Sequence, residues 1–414
     1  MTQVESSQNS VRIHYLYPIN SGRTVHSRRL SHQWVPMRNF IVVGVIKPLV
    51  IEVLLAIHTF TDANCIVLGG SKETRILRFS SLCAAYLEAS FSGDDDDRFV
   101  EKVNFLGVAM SDLVLIPADT QSTRMLNRVR SRLKVRLVFS PESSMLDQFD
   151  DKWRFYQFCK EHGLNVPTSC LIASKRDLNF TSTVAELGLP FVVKPLCEAA
   201  SNGVHAIFSE ADYDLKIRNN DAYRYAPLIV QRFISGTDVG LNLLAIQGKV
   251  AALAIQQRIV QKSVGSKIKF ISNDYLVGAA HTLARESIYE GVMNVDARIE
   301  EGTGKVYLFE SNPRFWRSLS ASVWCGLNFV AESIDPSSPS GGIRMLTSGC
   351  ADTYYHPLFR PLLWRYALFD FGQRGRMLRV KTYDLYTLSS SIKTIFLACM
   401  AHRSQVMALC EDQP

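Results

Sequence analysis

The sequence predicts an α/β and α+β protein, with an N-terminal doubly wound parallel sheet followed by a region of antiparallel sheets. Three observations carry this expectation. Through residue 140, short apolar runs alternate with helical patterns, which is the signature of strand–helix–strand crossovers. From residue 151, longer strands joined by tight turns take over. Further on, residues 291–299 and 305–312 read as a hairpin whose second strand closes on Glu310-Ser311-Asn312-Pro313-Arg314.

The bulk properties fit two or three domains with real cores: 414 residues, 47% hydrophobic and 21% charged, with a net charge of +7. Part of that charge is local. Residues 1–38 carry Arg12, Arg23, Arg28, Arg29 and Arg38 against Glu5 alone, with little hydrophobic periodicity. This segment reads as a flexible basic tail. It lacks the apolar core of a secretory signal, and no aromatic residues interleave its cations at regular spacing, so no nucleic-acid partner is expected. The nine cysteines stand singly, without CxxC or Cys/His ligand spacing, which points to a reducing cytoplasm and away from a zinc or disulfide framework.

The elements follow in order. Residues 40–60 are apolar but hold Lys47, Pro48 and Glu52 centrally, where a membrane span would not tolerate charge. A buried strand (40–45) and a core-facing helix with Pro48 in its first turn fit better. Further strands are expected at 64–68, 112–117 and 135–139, with helices at 51–60, 80–89 and 122–133. Gly69-Gly70-Ser71 reads as a tight strand-to-helix turn, and Asp94 to Asp97 as a solvated loop, because four consecutive acids cannot converge on one ion. Beyond residue 151 a helix (153–162) stops at Gly163. Strands at 191–194, 204–208, 228–233, 239–246 and 250–260 come next, with a loop at 195–203 and a turn at Ser235-Gly236-Thr237.

The hairpin carries the chemistry. If its turn is Gly302-Thr303-Gly304, Glu301 faces Lys305, Asp296 lies directly opposite Glu310, and Asn294 lies opposite Asn312. Cross-strand neighbours sit about 5 Å apart, and two bare carboxylates at that distance repel unless a cation lies between them. A divalent metal would explain the arrangement; a solvent-facing polar hairpin is the plain alternative. Two lysines are candidate phosphate ligands. Lys194 ends a strand before a loop with the small residues Ala199, Ala200, Ser201 and Gly203, which lets backbone approach a polyphosphate closely. Lys152 opens a helix, where the dipole does not favour a cation, so its placement invites an anion; a solvated lysine beside Asp150 and Asp151 reads equally well.

In this order and spacing, Lys152, the strand Phe191-Val192-Val193-Lys194-Pro195, the Ser201/Gly203 loop, Gln231-Arg232-Phe233-Ile234 with Gly236 and Asp238, then Asp296 and Glu310-Ser311-Asn312-Pro313-Arg314, resemble the ATP-grasp superfamily. The likeness is to its carboxylate–amine ligase and carbamoyl-phosphate-synthase-like branch, over residues 40–335. After the basic tail (1–38), it implies a Rossmann-like domain (39–140) before the ATP-grasp domain (141–340), and the remaining residues read as a helical extension (341–414). By resemblance, Lys152 and Lys194 would contact ATP phosphates under the 195–203 loop. Gln231, Phe233 and Ile234 would lie in the adenine hinge and Asp238 would contact the ribose. Asp296, Glu310 and Asn312 would hold Mg²⁺ or Mn²⁺, and Arg314 would stabilise the transferring phosphoryl group.

The resemblance implies a cytoplasmic ATP- and Mg²⁺-dependent ligase that joins a small-molecule carboxylate to an amine through an acylphosphate. Carboxylation, carbamoyl transfer and a degenerate ATP-binding module are the rival readings. The chain departs from its relatives at Cys197-Glu198-Ala199-Ala200, where glycines are usual, and at Ser263 to Phe270, which has one glycine. Arg258, Lys267 and Lys269 are candidates for binding an anionic acceptor; exposed loop cations are the other reading of the two lysines. The apolar stretches 362–371 and 383–400 read as helices that pack on the core or lie on a membrane surface.

Overall fold

The computed structural model describes residues 37–198, 202–260, 266–336, 342–352, 358, 361–384, 387–389 and 392. The apolar run that begins this region forms β1 (Arg38–Gly44), and Pro48 sits in the first turn of α1 (Lys47–Phe60). β2 (Ala63–Gly69), β3 (Ala85–Glu88), α2 (Asp96–Ala109), β4 (Val114–Pro117), α3 (Thr120–Val129) and β5 (Arg136–Leu137) complete a parallel sheet in the order β3-β2-β1-β4-β5. Alternation along β1 splits its two faces. Phe40 and Val42 join α1, while Ile41 and Val43 meet Phe99 and Val103 of α2 and Leu126 of α3.

Two expectations fail in this sheet. Residues 80–89 are not a helix: a 3₁₀ turn (Thr74–Phe79) precedes β3, which pairs in parallel with β2. The Ser-Leu-Ala composition suits a helix, but Leu87 finds an apolar cluster on the sheet edge, and the Ala84 N–H donates to Cys65 O at 2.8 Å. The acidic run Asp94 to Asp97 is a loop only in its first half, with Asp94 and Asp95 in a turn before the helix. Its second half, Asp96 and Asp97, opens α2, where carboxylates meet the positive end of the helix dipole and pair with Arg128 and Arg132.

After α4 (Ser143–Asp150) and α5 (Lys152–Glu161) come β6 (Ser169–Ile172), α6 (Phe180–Leu187), β7 (Phe191–Pro195), β8 (His205–Ile207), α7 (Glu210–Tyr213) and β9 (Leu228–Arg232), forming a sheet in the order β6-β9-β7-β8. The third sheet contains β10 (Gly236–Ile246), β11 (Lys249–Val260), β12 (Ser266–Ile271), β13 (Gly291–Glu300) and β14 (Val306–Asn312), with α8 (Asp274–Ser287) inserted before β13. The expected turn at 235–237 is instead the start of β10, where Gly236 (φ +150°) passes so close to β13 that a Cβ would lie 2.0 Å from Ile299 O.

α9 (Leu319–Trp324), α10 (Phe329–Ile334), β15 (Arg344–Leu346), β16 (Gly349–Asp352), α11 (Trp364–Phe369) and α12 (Gln373–Tyr383) end the described chain. The sheet order is β14-β13-β10-β11-β12-β16, with β15 beside β11. Leu241, Leu243, Leu253 and Val295 face α8 and pack with its Leu276, Ala280 and Leu283. On the opposite face, Leu244, Ala252, Ala254, Ile268 and Phe270 join Trp316, Leu319, Phe329 and the α1 residues in one core. Both antiparallel sheets follow residue 151, as the sequence predicts.

The expected 362–371 helix reduces to α11, which buries Ala367 but exposes Leu368 and Phe369. α12 buries Met377 and Leu378 in the core that contains α1. Most of 383–400 lies outside the described residues, among which no helix is long and apolar enough to cross a membrane.

Candidate active site

β13 and β14 form the expected hairpin, by a different route. The loop is one residue longer than predicted: Glu300 N donates to Lys305 O at 2.8 Å, and Glu301 to Gly304 form the turn. That shift alone would move Glu310 out of line with Asp296. A β-bulge between Asp296 and Ala297 absorbs it: Ala297 pairs with Leu308, Asp296 with Glu310, and Phe309 is the surplus residue. Asp296 therefore faces Glu310, and Asn294 faces Asn312, as predicted.

The bulge also explains a residue the sequence reading missed. Strict alternation sends Phe309 to the α8 side. Instead its ring lies 5.2 Å from Lys194 Nζ and 5.5 Å from the Arg298 guanidinium. Arg298 was legible in principle, because it stands two residues beyond Asp296 and so shares its face.

Charge is concentrated around this hairpin. Lys152, the first residue of α5 and only 6% exposed, donates to Glu198 O at 2.7 Å and Leu196 O at 3.3 Å, and its Nζ lies 3.3 Å from Glu310 Oε2. Its expected anion is thus a carboxylate of the same protein, and its donors tie down the start of the 195–203 loop. Burial lowers the Lys194 pKa to about 8, with Glu310 opposing the shift. Burial, then the charge of Glu310 and a hydrogen bond to it, raise the Asp296 carboxyl to about 7. Two carboxyls in such contact must share a proton or a cation.

Arg314 is held by donation from Nη2 to Asn312 Oδ1 at 2.8 Å and from Nη1 to Phe315 O at 2.9 Å. Burial lowers its pKa, opposed by Asp296, Asp150, Asp119 and Glu310 in that order. Asp119, at the end of β4, accepts from Val45 N at 2.7 Å and Ile46 N at 2.9 Å, so it anchors the turn after β1. Asn312 Nδ2 donates to Asn294 Oδ1 at 3.3 Å and to Asp296 Oδ2 at 3.4 Å.

Of the other expected positions, Phe233, Ile234 and Asp238 meet Arg298, which lies beside Phe309 of the hairpin. Gln231 is buried in β9, its Nε2 donating to Ser169 Oγ at 3.0 Å while Oε1 has no partner. Phe233 N donates to Pro190 O at 3.2 Å, and Ile234 O accepts from Arg298 Nη1 at 2.7 Å, so part of the hinge backbone is engaged. Asp238 is exposed and pairs with Arg298 at 2.6 Å. Gly203 (φ +70°) leaves no room for a Cβ, which would sit 2.6 Å from Tyr225. Ser201 lies outside the described residues.

Arg258 is exposed on β11, two residues from Gln256, which faces Gly240 and through it the Asp296 row. Lys267 and Lys269 are not loop residues: they belong to β12, opposite Ile259 and Gln257, and so lie on the other face from Arg258. A joint acceptor site of all three cations is therefore excluded by register. β12 was not legible in advance, because Lys-Ile-Lys-Phe-Ile alternates for only a few residues after a polar stretch.

Among the described residues no group of three His, Cys, Asp or Glu surrounds a common point. The paired Asp296 and Glu310 oxygens, with the Asn312 amide adjacent, still suit Mg²⁺, which is commonly held by one or two carboxylates plus waters and substrate phosphates.

Residues 149–318 match the model of the ATP-grasp domain family. The chain is 25% identical over 184 residues to the arginine-specific large chain of carbamoyl phosphate synthase from Bacillus subtilis, covering 42% of this chain and 17% of that one. It is 37% identical over 95 residues to the D-alanine–D-alanine ligase of Laribacter hongkongensis, covering 23% and 30%. It thus spans less than a third of either relative. The crystal structure of N5-carboxyaminoimidazole synthetase from Staphylococcus aureus complexed with ADP superposes with a TM-score of 0.56 at 15% identity, covering 75% of this chain and 80% of that one. Residues 149–318, which hold the charged hairpin and most of the two antiparallel sheets, thus form a region that matches the ATP-grasp domain.

Proposed function

We propose that the protein is an ATP- and Mg²⁺-dependent ligase that joins a carboxylate to an amine through an acylphosphate. The observation that carries this reading is the Asp296–Glu310 pair, set face to face on adjacent strands with Asn312 beside it and Lys152, Lys194 and Arg314 around it. The match of residues 149–318 to the ATP-grasp domain model supports it, as do the ligase relatives.

In this reading Asp296, Glu310 and Asn312 hold Mg²⁺, which would neutralise charge on the β- and γ-phosphates when bound. Lys152 exchanges its contact with Glu310 for a phosphate oxygen, and keeps the 195–203 loop near the nucleotide through its donors to that loop. Lys194 and Arg314 face the equatorial oxygens, where charge grows as the substrate carboxylate attacks the γ-phosphorus and the bond to ADP breaks. The acylphosphate hydrolyses readily, so the site has to keep water from it until the amine attacks. The amine then attacks the acyl carbon, the carbon–oxygen bond to phosphate breaks, and the nitrogen gives up its proton. Arg258, on the same face and outside the carboxylate pair, is positioned to meet an anionic acceptor.

The test is product identity with pooled amino acids, sugar acids and amines. ADP and phosphate are expected only when an acid and an amine are both present, and Glu310→Ala is expected to abolish them. Formation of AMP and pyrophosphate would overturn the acylphosphate route.

A further inference from the structure

Beside the carboxylate pair, a row of three asparagines crosses the sheet. Asn242 on β10 faces Asn294 on β13, which faces Asn312 on β14. Their amides are joined head to tail. Asn312 Nδ2 donates to Asn294 Oδ1 at 3.3 Å, and Asn294 Nδ2 donates to Asn242 Oδ1 at 3.0 Å. Asn242 is fully buried, Asn294 is 7% exposed, and Asn242 Nδ2 has no partner.

The direction of this chain is dictated at one end. Asn312 stands between the Arg314 guanidinium, which can only donate, and Asp296 Oδ2. Its oxygen must face Arg314 and its NH₂ must face Asp296 and Asn294. Turning Asn242 over would give its buried NH₂ no better partner and would set it against the NH₂ of Asn294. That clash would force Asn294 and then Asn312 to turn over, placing donor against donor at Arg314. The unpaired donor on Asn242 is thus the far-end consequence of an orientation fixed at the site.

We propose that Asn294, backed by Asn242, is a positioning residue that locks the Asn312 amide, so that its oxygen accepts from Arg314 with one lone pair and offers the other for ligation. This rests on the ligase reading, in which Asn312 is a ligand of Mg²⁺. Groups behind metal ligands typically matter by about 10- to 100-fold in metal affinity. Asn294→Val removes both amide bonds while leaving Asp296, Glu310 and Asn312 in place.

The experiment is a Mn²⁺ titration of the full chain with ADP, read by electron paramagnetic resonance without turnover, and compared with melting temperature. Asn294→Val is expected to weaken Mn²⁺ binding roughly tenfold or more. Asn242→Leu should act in the same direction, and it stands in if Asn294→Val does not fold. Leu243→Ala, a core truncation on the opposite face of β10, should lower the melting temperature and leave Mn²⁺ affinity unchanged. In steady state, the Asn294 variant should raise the half-saturating Mg²⁺ more than it raises the KM of the amine. If Asn312→Ala weakens Mn²⁺ binding and neither Asn294→Val nor Asn242→Leu does, the positioning role is wrong. Equal loss in Leu243→Ala would also refute it, by reducing the effect to stability. If Asn312→Ala binds Mn²⁺ as the wild type does, the metal-site reading beneath it fails instead.

Discussion

Lys194 shows how burial sets a residue's chemistry. With its pKa lowered to about 8 from the ordinary 10.5, the ammonium is fully charged only below that value. ADP affinity of the metal-free protein is expected to fall as pH rises above about 8, with this one proton contributing at most about tenfold per pH unit. Lys194→Arg should remove the break, since a guanidinium stays protonated; a break that persists in the variant would assign it elsewhere. The same shift has a sign for stability. Between about 8 and 10.5 the unfolded chain binds the proton that the folded chain has lost, so Lys194 makes the nucleotide-free protein more stable as pH rises through that range. The sequence singled out Lys152 and Lys194 from their places at a helix start and a strand end. It did not reveal the Lys152–Glu310 contact, because that depends on how α5 meets β14, which no local pattern encodes.

At the scale of elements, the hairpin was legible for a reason that includes two cancelling departures. The turn is one residue longer than the glycine spacing suggests, and the bulge at Phe309 returns Glu310 to Asp296. Hydrophobic period predicts the faces of regular strands and is blind to a bulge. Deleting Phe309 is therefore expected to keep the Asp296–Glu310 opposition, because the surplus residue is the one removed. The variant should fold and bind Mn²⁺ as the wild type does; loss of Mn²⁺ binding with the fold intact would mean that the bulge itself shapes the site. Helix α8 is a simpler case, with an apolar stripe that packs on the sheet. Leu283 is fully buried there, and Leu283→Ala should cost about 2–5 kcal/mol in denaturant unfolding without altering nucleotide affinity. The misread 80–89 segment and the missed α2 have different causes: tertiary pairing overrode composition in β3, and part of an acidic run that looks solvated was the first turn of a helix.

For the molecule as a whole, the C-terminal region binds the first sheet's layer to the antiparallel region. Glu52 of α1 accepts from Ser320 N at 2.6 Å at the start of α9, and Lys381 of α12 lies buried among Glu52 and Asp352. Burial raises the Glu52 carboxyl and lowers the Lys381 ammonium, each opposed by the other's charge. Removing one partner of a buried pair leaves the other uncompensated, so Lys381→Met should destabilise by about 3–5 kcal/mol in denaturant unfolding. A change within 1 kcal/mol would mean that the pair is dispensable. This tie was not legible, since Glu52 and Lys381 are far apart in sequence and each reads locally as a lone charge in a helix. The order of cations, expected hinge and acidic hairpin was legible, and it underlies the proposal of an ATP-driven condensation. The most direct test of that claim uses carboxylate pools labelled with heavy oxygen, incubated with ATP, Mg²⁺ and amines, with the released phosphate read by phosphorus NMR. An acylphosphate route passes one labelled oxygen from the carboxylate into phosphate, which is the predicted result; amide formed with unlabelled phosphate would contradict it.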